Sequence, residues 1–233
     1  MRTVIIGDIH GCADRLQSLL RRIGFDPAQN ELILLGNLMD YGPDSFGVYR
    51  MVRDLKEAMG KRLVILRGDH DQMLMDANLM TRGQMANSLL WKQNGGNETV
   101  RSFKAAGQKV SKAAVWLRDN TRTWYEDLSF LCVHGDIRDE VIWNNSDMDL
   151  IWGRQAVLTN DYSGKLCVVG STPMESPTYL DGSGAESAFH PPCGTWFELP
   201  KRGLIALDTG CGKTPEGKLT AMLVENGWMR FEQ

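Results

Sequence analysis

Paired cysteines are missing from this sequence. The five it has, Cys12, Cys132, Cys167, Cys193 and Cys211, are odd in number, widely scattered, and form no C-x-x-C pair. That pattern argues for a reduced, cytoplasmic setting, with all five as lone buried thiols. Long apolar runs are missing too. None approaches membrane-spanning length, and strand-forming residues begin at once, without the pattern of a signal peptide. No membrane association is expected. A strong charge of either sign is also missing: the net charge is −3, which argues against a broad nucleic-acid surface. There is no internal repeat, low-complexity stretch or obvious linker. With 233 residues, enough for one sizeable core and short for two, residues 1–233 are expected to form a single domain.

What is present begins with Thr3-Val4-Ile5-Ile6-Gly7-Asp8-Ile9-His10-Gly11. The apolar run reads as a short buried strand. Asp8 and His10, two apart on an extended segment, would point to the same side. A carboxylate and an imidazole side by side at the carboxyl end of a strand can hold a hard or borderline metal; the alternative is an ordinary strand-to-helix turn with a polar tip.

The same grammar repeats. A helix is expected over Ala13–Ile23, a strand over Glu31–Leu35, a helix capped by Asp44 or Ser45 and running to about Met59, a strand over Arg62–Leu66, then another helix. Strand, polar glycine-containing loop, helix, three times over, is the pattern of an α/β sheet with its working loops on one edge. A helical insertion is expected over about 81–120, broken at Asn94-Gly95-Gly96-Asn97. Trp91, Val100, Phe103, Val110, Val115, Trp116 and Leu117 would cover an apolar surface. Short strands dominate after Trp124, with a long polar loop from Ser171 to Gly194. Of four histidines, His10, His70 and His134 each follow a predicted strand with a glycine close by, which favours one shared metal or catalytic site.

Taken in order, Gly7-Asp8-Ile9-His10-Gly11, Gly36-Asn37-Leu38-Met39-Asp40-Tyr41-Gly42, Gly68-Asp69-His70-Asp71 and His134-Gly135 resemble the calcineurin-like metallophosphoesterases, in the spacing of their phosphoprotein phosphatase branch. Trp91-Lys92-Gln93-Asn94-Gly95-Gly96, Ile151-Trp152-Gly153-Arg154 and Asp208-Thr209-Gly210 with Gly217-Lys218-Leu219-Thr220-Ala221 look like the bacterial and phage, lambda-type, serine/threonine protein phosphatases. Diadenosine tetraphosphate hydrolases share much of this, including an aspartate where Asp71 stands and a signature like Asp208-Thr209-Gly210-Cys211.

The resemblance implies a four-layer α/β sandwich, two mixed β-sheets flanked by helices. It implies hydrolysis of a phosphomonoester, foremost phosphoserine or phosphothreonine on protein, with one or two Mn²⁺ or similar ions. It also implies roles. Asp8 and His10 match ligands of a first metal, and His134 matches a ligand of a second. Asn37 stands where the family has a bridging aspartate, and Asp69 where it has an asparagine ligand. His70 matches the histidine that protonates the leaving alkoxide, Asp40 the carboxylate that orients it, and Arg154 a phosphate-binding arginine. Tyr41 stands where a second arginine is expected, either as a substrate contact or as a surface turn residue.

Three departures matter. Asn37 offers a neutral amide with a donor at one end. Tyr41 offers a hydrogen bond without charge. Ser171 replaces a histidine ligand; His190 is a candidate substitute, though an exposed loop histidine is the simpler reading. Together they leave two alternatives open beside the protein phosphatase: a dinucleoside polyphosphate hydrolase, and a weakly active or inactive relative that binds a phosphorylated partner.

Overall fold

The computed structural model describes residues 1–79, 83–184 and 187–233. The chain opens with β1 (Thr3–Ile6), α1 (Ala13–Arg22), β2 (Glu31–Leu34), α2 (Ser45–Met59), β3 (Leu63–Ile65) and α3 (Asp69–Asn78). Three helices follow, α4 (Gln84–Trp91), α5 (Asn97–Ala105) and α6 (Val110–Asn120). The second half runs β4 (Trp124–Glu126), β5 (Leu131–Val133), α7 (Asp147–Trp152), α8 (Gln155–Thr159), β6 (Cys167–Val169), β7 (Thr178–Leu180), β8 (Trp196–Glu198), β9 (Leu204–Ala206), β10 (Ala221–Glu225) and β11 (Trp228–Glu232).

Two mixed sheets result. One has six strands in the order β3-β2-β1-β10-β11-β8; the other has five, β4-β5-β6-β9-β7. β1, β2 and β3 are parallel, as are β5, β6 and β9, and the remaining neighbours are antiparallel. Side-chain alternation sorts the apolar residues into layers. Ile5, Ile33 and Val64 from the first sheet meet Cys132, Val168 and Ile205 from the second. Val4 and Ile6 turn the other way, onto Leu16 and Leu19 of α1 and Val48 and Val52 of α2. Leu131, Val133, Cys167 and Val169 turn outward from the second sheet onto Leu150, Ala156 and Val157. Helices, sheet, sheet, helices is the four-layer α/β sandwich expected. Each of the buried valines, leucines and isoleucines among them contributes about 1.5–3 kcal/mol.

The first helices end where their caps place them. Asp44 accepts the backbone N–H of Gly47 at 2.8 Å and starts α2. The insertion breaks at Asn94 and Gly95, which leave helical geometry, Gly95 with φ +88°. Residues 81 and 82 of the expected insertion lie outside the described residues. Trp91, Phe103 and Leu117 are core residues, Val100, Val110 and Trp116 pack against the core, and Val115 is exposed instead.

Three expectations are corrected. Helices α7 and α8 stand in a region read as strand-rich; they are six and five residues long, below the window in which periodicity shows. Strand β7 lies inside the expected long loop, added antiparallel to the edge of β9. Cys193 is exposed, so four of the five thiols are buried, not all; all five are free.

Candidate active site

The polar loops after β1, β2, β3, β5 and β6 meet at one edge of the facing sheets, and their backbone is held under strain. Seven non-glycine residues among those described have positive φ. Five of them, His10, Asn37, Asp40, Tyr41 and Ser171, belong to this edge. Such conformations persist only where surrounding structure enforces them, and they gather where a side chain must be aimed. They also correct one derivation. Asp8 and His10 come together, 3.6 Å apart, through the turn at His10 (φ +45°) and not through strand alternation.

Asp8, His10, Asn37, Asp69 and His134 converge as one buried cluster. The Asn37 amide nitrogen donates to Asp8 Oδ2 at 3.0 Å and to Asp69 Oδ1 at 2.8 Å. Its Oδ1 accepts the backbone N–H of His70 at 2.9 Å, which fixes which end of the amide faces the carboxylates. His134 bonds through Nδ1 to the Leu35 carbonyl at 2.7 Å, and its Nε2 lies 3.3 Å from Asp69 Oδ1. Burial disfavours its imidazolium, but the Asp8 and Asp69 carboxylates outweigh burial and raise the pKa to about 9. Its Nδ1 faces a backbone carbonyl and its Nε2 is turned to Asp69, the same disposition that His10 has toward the Met39 carbonyl and Asp8. Burial likewise opposes ionisation of Asp8 and Asp69. His134, with His10 and Lys213 around Asp8 and with His70 and Asn37 around Asp69, holds both carboxyls well below their ordinary range.

Asp69 and His70 sit in the first turn of α3, not in an extended loop as expected, and helical geometry separates their directions. His70 Nδ1 lies 2.9 Å from Asp40 Oδ2. Asp40 also accepts the Trp91 indole N–H at 3.0 Å and the Thr99 hydroxyl at 2.7 Å. The insertion therefore does more than cover an apolar face: it supplies two of the three side chains that orient Asp40. Asp71, one helical position further on, accepts backbone N–H groups of Asn37, Leu38 and Gly68 at 2.8, 3.2 and 3.0 Å, tying the β2 loop to the β3 loop. Burial pushes its pKa up to about 6, against those three donors. Gly68 has to be glycine for this approach, because a Cβ there would fall on Asn37 Oδ1.

A cavity of about 590 Å³ opens beside the cluster, lined among others by Tyr41, Asp69, His70, Trp152, Arg154 and Lys213. The Tyr41 ring packs against the imidazoles of His10 and His70, at centroid distances of 5.2 and 5.1 Å, and the two imidazoles meet each other at 4.9 Å. Arg154 reaches Asp69 Oδ2 and Ser171 Oγ, both at 3.4 Å. Lys213 lies 3.2 Å from Asp208 Oδ2 and 3.8 Å from Asp8 Oδ2. Burial and the Asp8 carboxylate push Asp208 up to about 6, while Lys213 opposes them. The arrangement places a His–Asp pair and two cations around a space the size of a small ligand.

Residues 1–197 match the calcineurin-like phosphoesterases. The chain belongs to that family. It is 39% identical over 97 residues to serine/threonine-protein phosphatase 1 of Salmonella typhimurium, a stretch covering 42% of this chain and 40% of that protein. It is 48% identical over 75 residues to the symmetrical bis(5'-nucleosyl)-tetraphosphatase of Serratia proteamaculans, covering 32% of this chain and 25% of that one. The chain thus matches well under half the length of these curated relatives. A metallophosphoesterase from Sphaerobacter thermophilus has the same fold, with a TM-score of 0.64 at 19% identity over all of this chain and 87% of that one.

Calcineurin-like phosphoesterases use divalent metal ions, and the residues here fit one position better than two. His10 Nδ1 faces the Met39 carbonyl at 3.1 Å, which makes it the protonated nitrogen. Its Nε2 is buried without a hydrogen-bond partner, next to Asp8. A buried lone pair aimed beside a carboxylate is ligand chemistry. The second position does not fit as it stands: Asn37 turns its N–H groups to the carboxylates, and Ser171 has no imidazole. Among the described residues no three His, Cys, Asp or Glu side chains already surround a common point.

His190 is exposed and bonds to Thr178 and Ser176, not to the cluster. The residues that contact the cluster or Asp40 and were missed from sequence are Trp91, Thr99, Asp71 and Lys213. Asp71 carried a signal, as an acid at the third position of a helix beginning after Gly68. Lys213 carried a weaker one, between glycines just after a strand. Trp91 and Thr99 reach Asp40 only through tertiary packing.

Proposed function

We propose that this chain is a metal-dependent phosphoesterase that hydrolyses phosphomonoesters, with phosphoserine or phosphothreonine on protein as its first substrate class. Residues 1–233 act as one domain in this reading, in a reduced, cytoplasmic setting, and Asp8 and His10 hold Mn²⁺. The observation that carries the proposal is the 2.9 Å contact between His70 and Asp40 at the wall of the cavity. With Nδ1 engaged by Asp40, His70 has Nε2 free for the substrate. Asp40 fixes the plane of the ring and the nitrogen it presents, as a general acid requires. Arg154 exchanges its long contacts to Asp69 and Ser171 for the phosphoryl oxygens, which match a guanidinium better. Tyr41 adds one hydrogen bond at the rim. Water forms the new P–O bond, the bond to the leaving oxygen breaks, and His70 protonates that oxygen. A bound divalent ion supplies Lewis acidity toward the phosphoryl oxygens and acidifies water.

A second reading, hydrolysis of dinucleoside polyphosphates, is supported by the higher identity to the bis(5'-nucleosyl)-tetraphosphatase over its shorter stretch. The purified protein should be given p-nitrophenyl phosphate, a phosphothreonine peptide and diadenosine tetraphosphate, each with Mn²⁺ and with a chelator. Mn²⁺-dependent turnover of the peptide is the expected result. Turnover of the dinucleotide alone would move the assignment to the second reading. Binding of the phosphopeptide without turnover of any substrate would make the chain an inactive phosphate-binding relative.

A further inference from the structure

Lys213 has no part in the roles derived so far, yet it is the most enclosed cation of the cavity. Its side chain is 18% exposed, against 47% for Arg154. It comes from the tight turn that follows Asp208, where Gly210 and Gly212 both have positive φ and the Lys213 N–H returns to the Gly210 carbonyl. That turn aims the ammonium between two buried carboxylates from different strands, Asp208 after β9 and Asp8 after β1. Both are fully buried, and the ammonium is the positive charge they share, alongside the histidines and the Asn37 amide that also serve Asp8. Lysine is suited to such a place, being a compact point charge on a flexible stem with three donors. Asp208 and Asp8 occupy one side of it, and the cavity shared with Arg154, Tyr41 and His70 lies on its accessible side.

We propose that Lys213 is a second phosphate-binding cation of this site, and that its ammonium supplies, beside Asp8 and Asp208, positive charge that a further divalent ion would otherwise bring. The inference rests on the phosphoesterase reading for the identity of its anion. It accounts for two features together. The cluster gives a second metal position poor ligands, with the Asn37 amide and no imidazole at Ser171. The cavity nevertheless carries two positive side chains, although Tyr41 contributes none. An anion entering between Arg154 and Lys213 would find one guanidinium and one ammonium.

The test uses metal-free protein and two probes, inorganic phosphate and Mn²⁺ alone, both titrated by calorimetry. Lys213→Ala should weaken phosphate binding roughly tenfold to a hundredfold, the effect of losing one charge-assisted hydrogen bond. The same variant should bind Mn²⁺ more tightly or take up an additional equivalent, because Asp8 and Asp208 lose their internal cation. Lys213→Arg should retain phosphate binding. If Lys213→Ala fails to fold, Lys213→Gln keeps most of the stem while removing the charge, and the same opposite movements are expected. A purely structural lysine would lower both affinities together, and that result would overturn the proposal. Unchanged phosphate binding, or unchanged Mn²⁺ binding, would overturn it as well. Neither titration needs turnover. Phosphate binding that depends on Lys213 in a protein that hydrolyses nothing would sink the phosphoesterase reading and leave this one standing.

Discussion

The indole nitrogen of Trp91 lies 3.0 Å from each carboxylate oxygen of Asp40, although 51 residues separate the two in sequence. Both are buried. Asp40 in turn holds His70, so a residue at the end of an inserted helix aims the imidazole at the cavity. Trp91→Phe keeps the ring and removes the donor, leaving the buried carboxylate short of one partner. The loss should cost about 1–3 kcal/mol of stability. It should also lower kcat by roughly ten- to a hundredfold through misplacement of His70, with bound metal unchanged by elemental analysis. Thr99→Val, which removes the 2.7 Å donor at nearly constant shape, should act in the same direction. Full activity in both variants would show that the insertion does not position Asp40.

His70 itself is tested by His70→Asn. If it is the proton donor, turnover of an alkyl phosphate should fall by roughly 10²–10⁴-fold. Metal content should not change, because its side-chain hydrogen bond is to Asp40 and it meets His10 only edge-to-face, ring on ring. A substrate whose leaving group needs no proton, such as p-nitrophenyl phosphate, should suffer less. Loss of metal in this variant would make His70 a ligand.

The layers of the fold were legible because β1, β2 and β3 are apolar runs closed by glycine, and α1 and α2 carry a helical stripe and a capping residue. Short elements were not: α7 and α8 bury only one or two turns, and β7 is a three-residue edge strand whose pairing comes from β9. The cluster of Asp8, His10, Asn37, Asp69 and His134 was legible because each member follows a strand of a parallel segment, and parallel strands bring such loops to one edge. How they contact one another was not. The direction of the Asn37 amide depends on the His70 N–H, a bond across 33 residues that no local pattern encodes. Trp91 was missed for the same reason, and so was the approach of Lys213 to Asp8, since those partners lie on other elements.

His190 provides a negative control. It bonds to Thr178 at 3.0 Å on an exposed part of the chain. His190→Ala should leave Mn²⁺ affinity and turnover within error of the unmodified protein. A fall in Mn²⁺ affinity would mean that the loop reaches the cluster and supplies the imidazole absent at Ser171.

Asn37 is the residue on which the metal count turns. Its amide donates into Asp8 and Asp69 and so satisfies, without metal, two carboxylates that would otherwise face each other. In Asn37→Asp the oxygen that accepts the His70 N–H is kept, but an acceptor replaces the two-donor end. Each new oxygen–oxygen contact at about 3 Å carries a repulsion of about 5 kcal/mol at an effective dielectric of 20, before a proton or local movement relieves it. In chelator the variant should therefore melt well below the unmodified protein. Mn²⁺ reverses the sign, because a carboxylate between Asp8 and Asp69 is an anionic ligand and binding to the folded state alone raises stability with concentration. The melting temperature in Mn²⁺ minus that in chelator should be small for the unmodified protein and large for the variant. Calorimetric titration should find a tighter or an additional Mn²⁺ equivalent in the variant. Equal melting differences in the two proteins would show that the Asn37 amide is not what limits metal binding here.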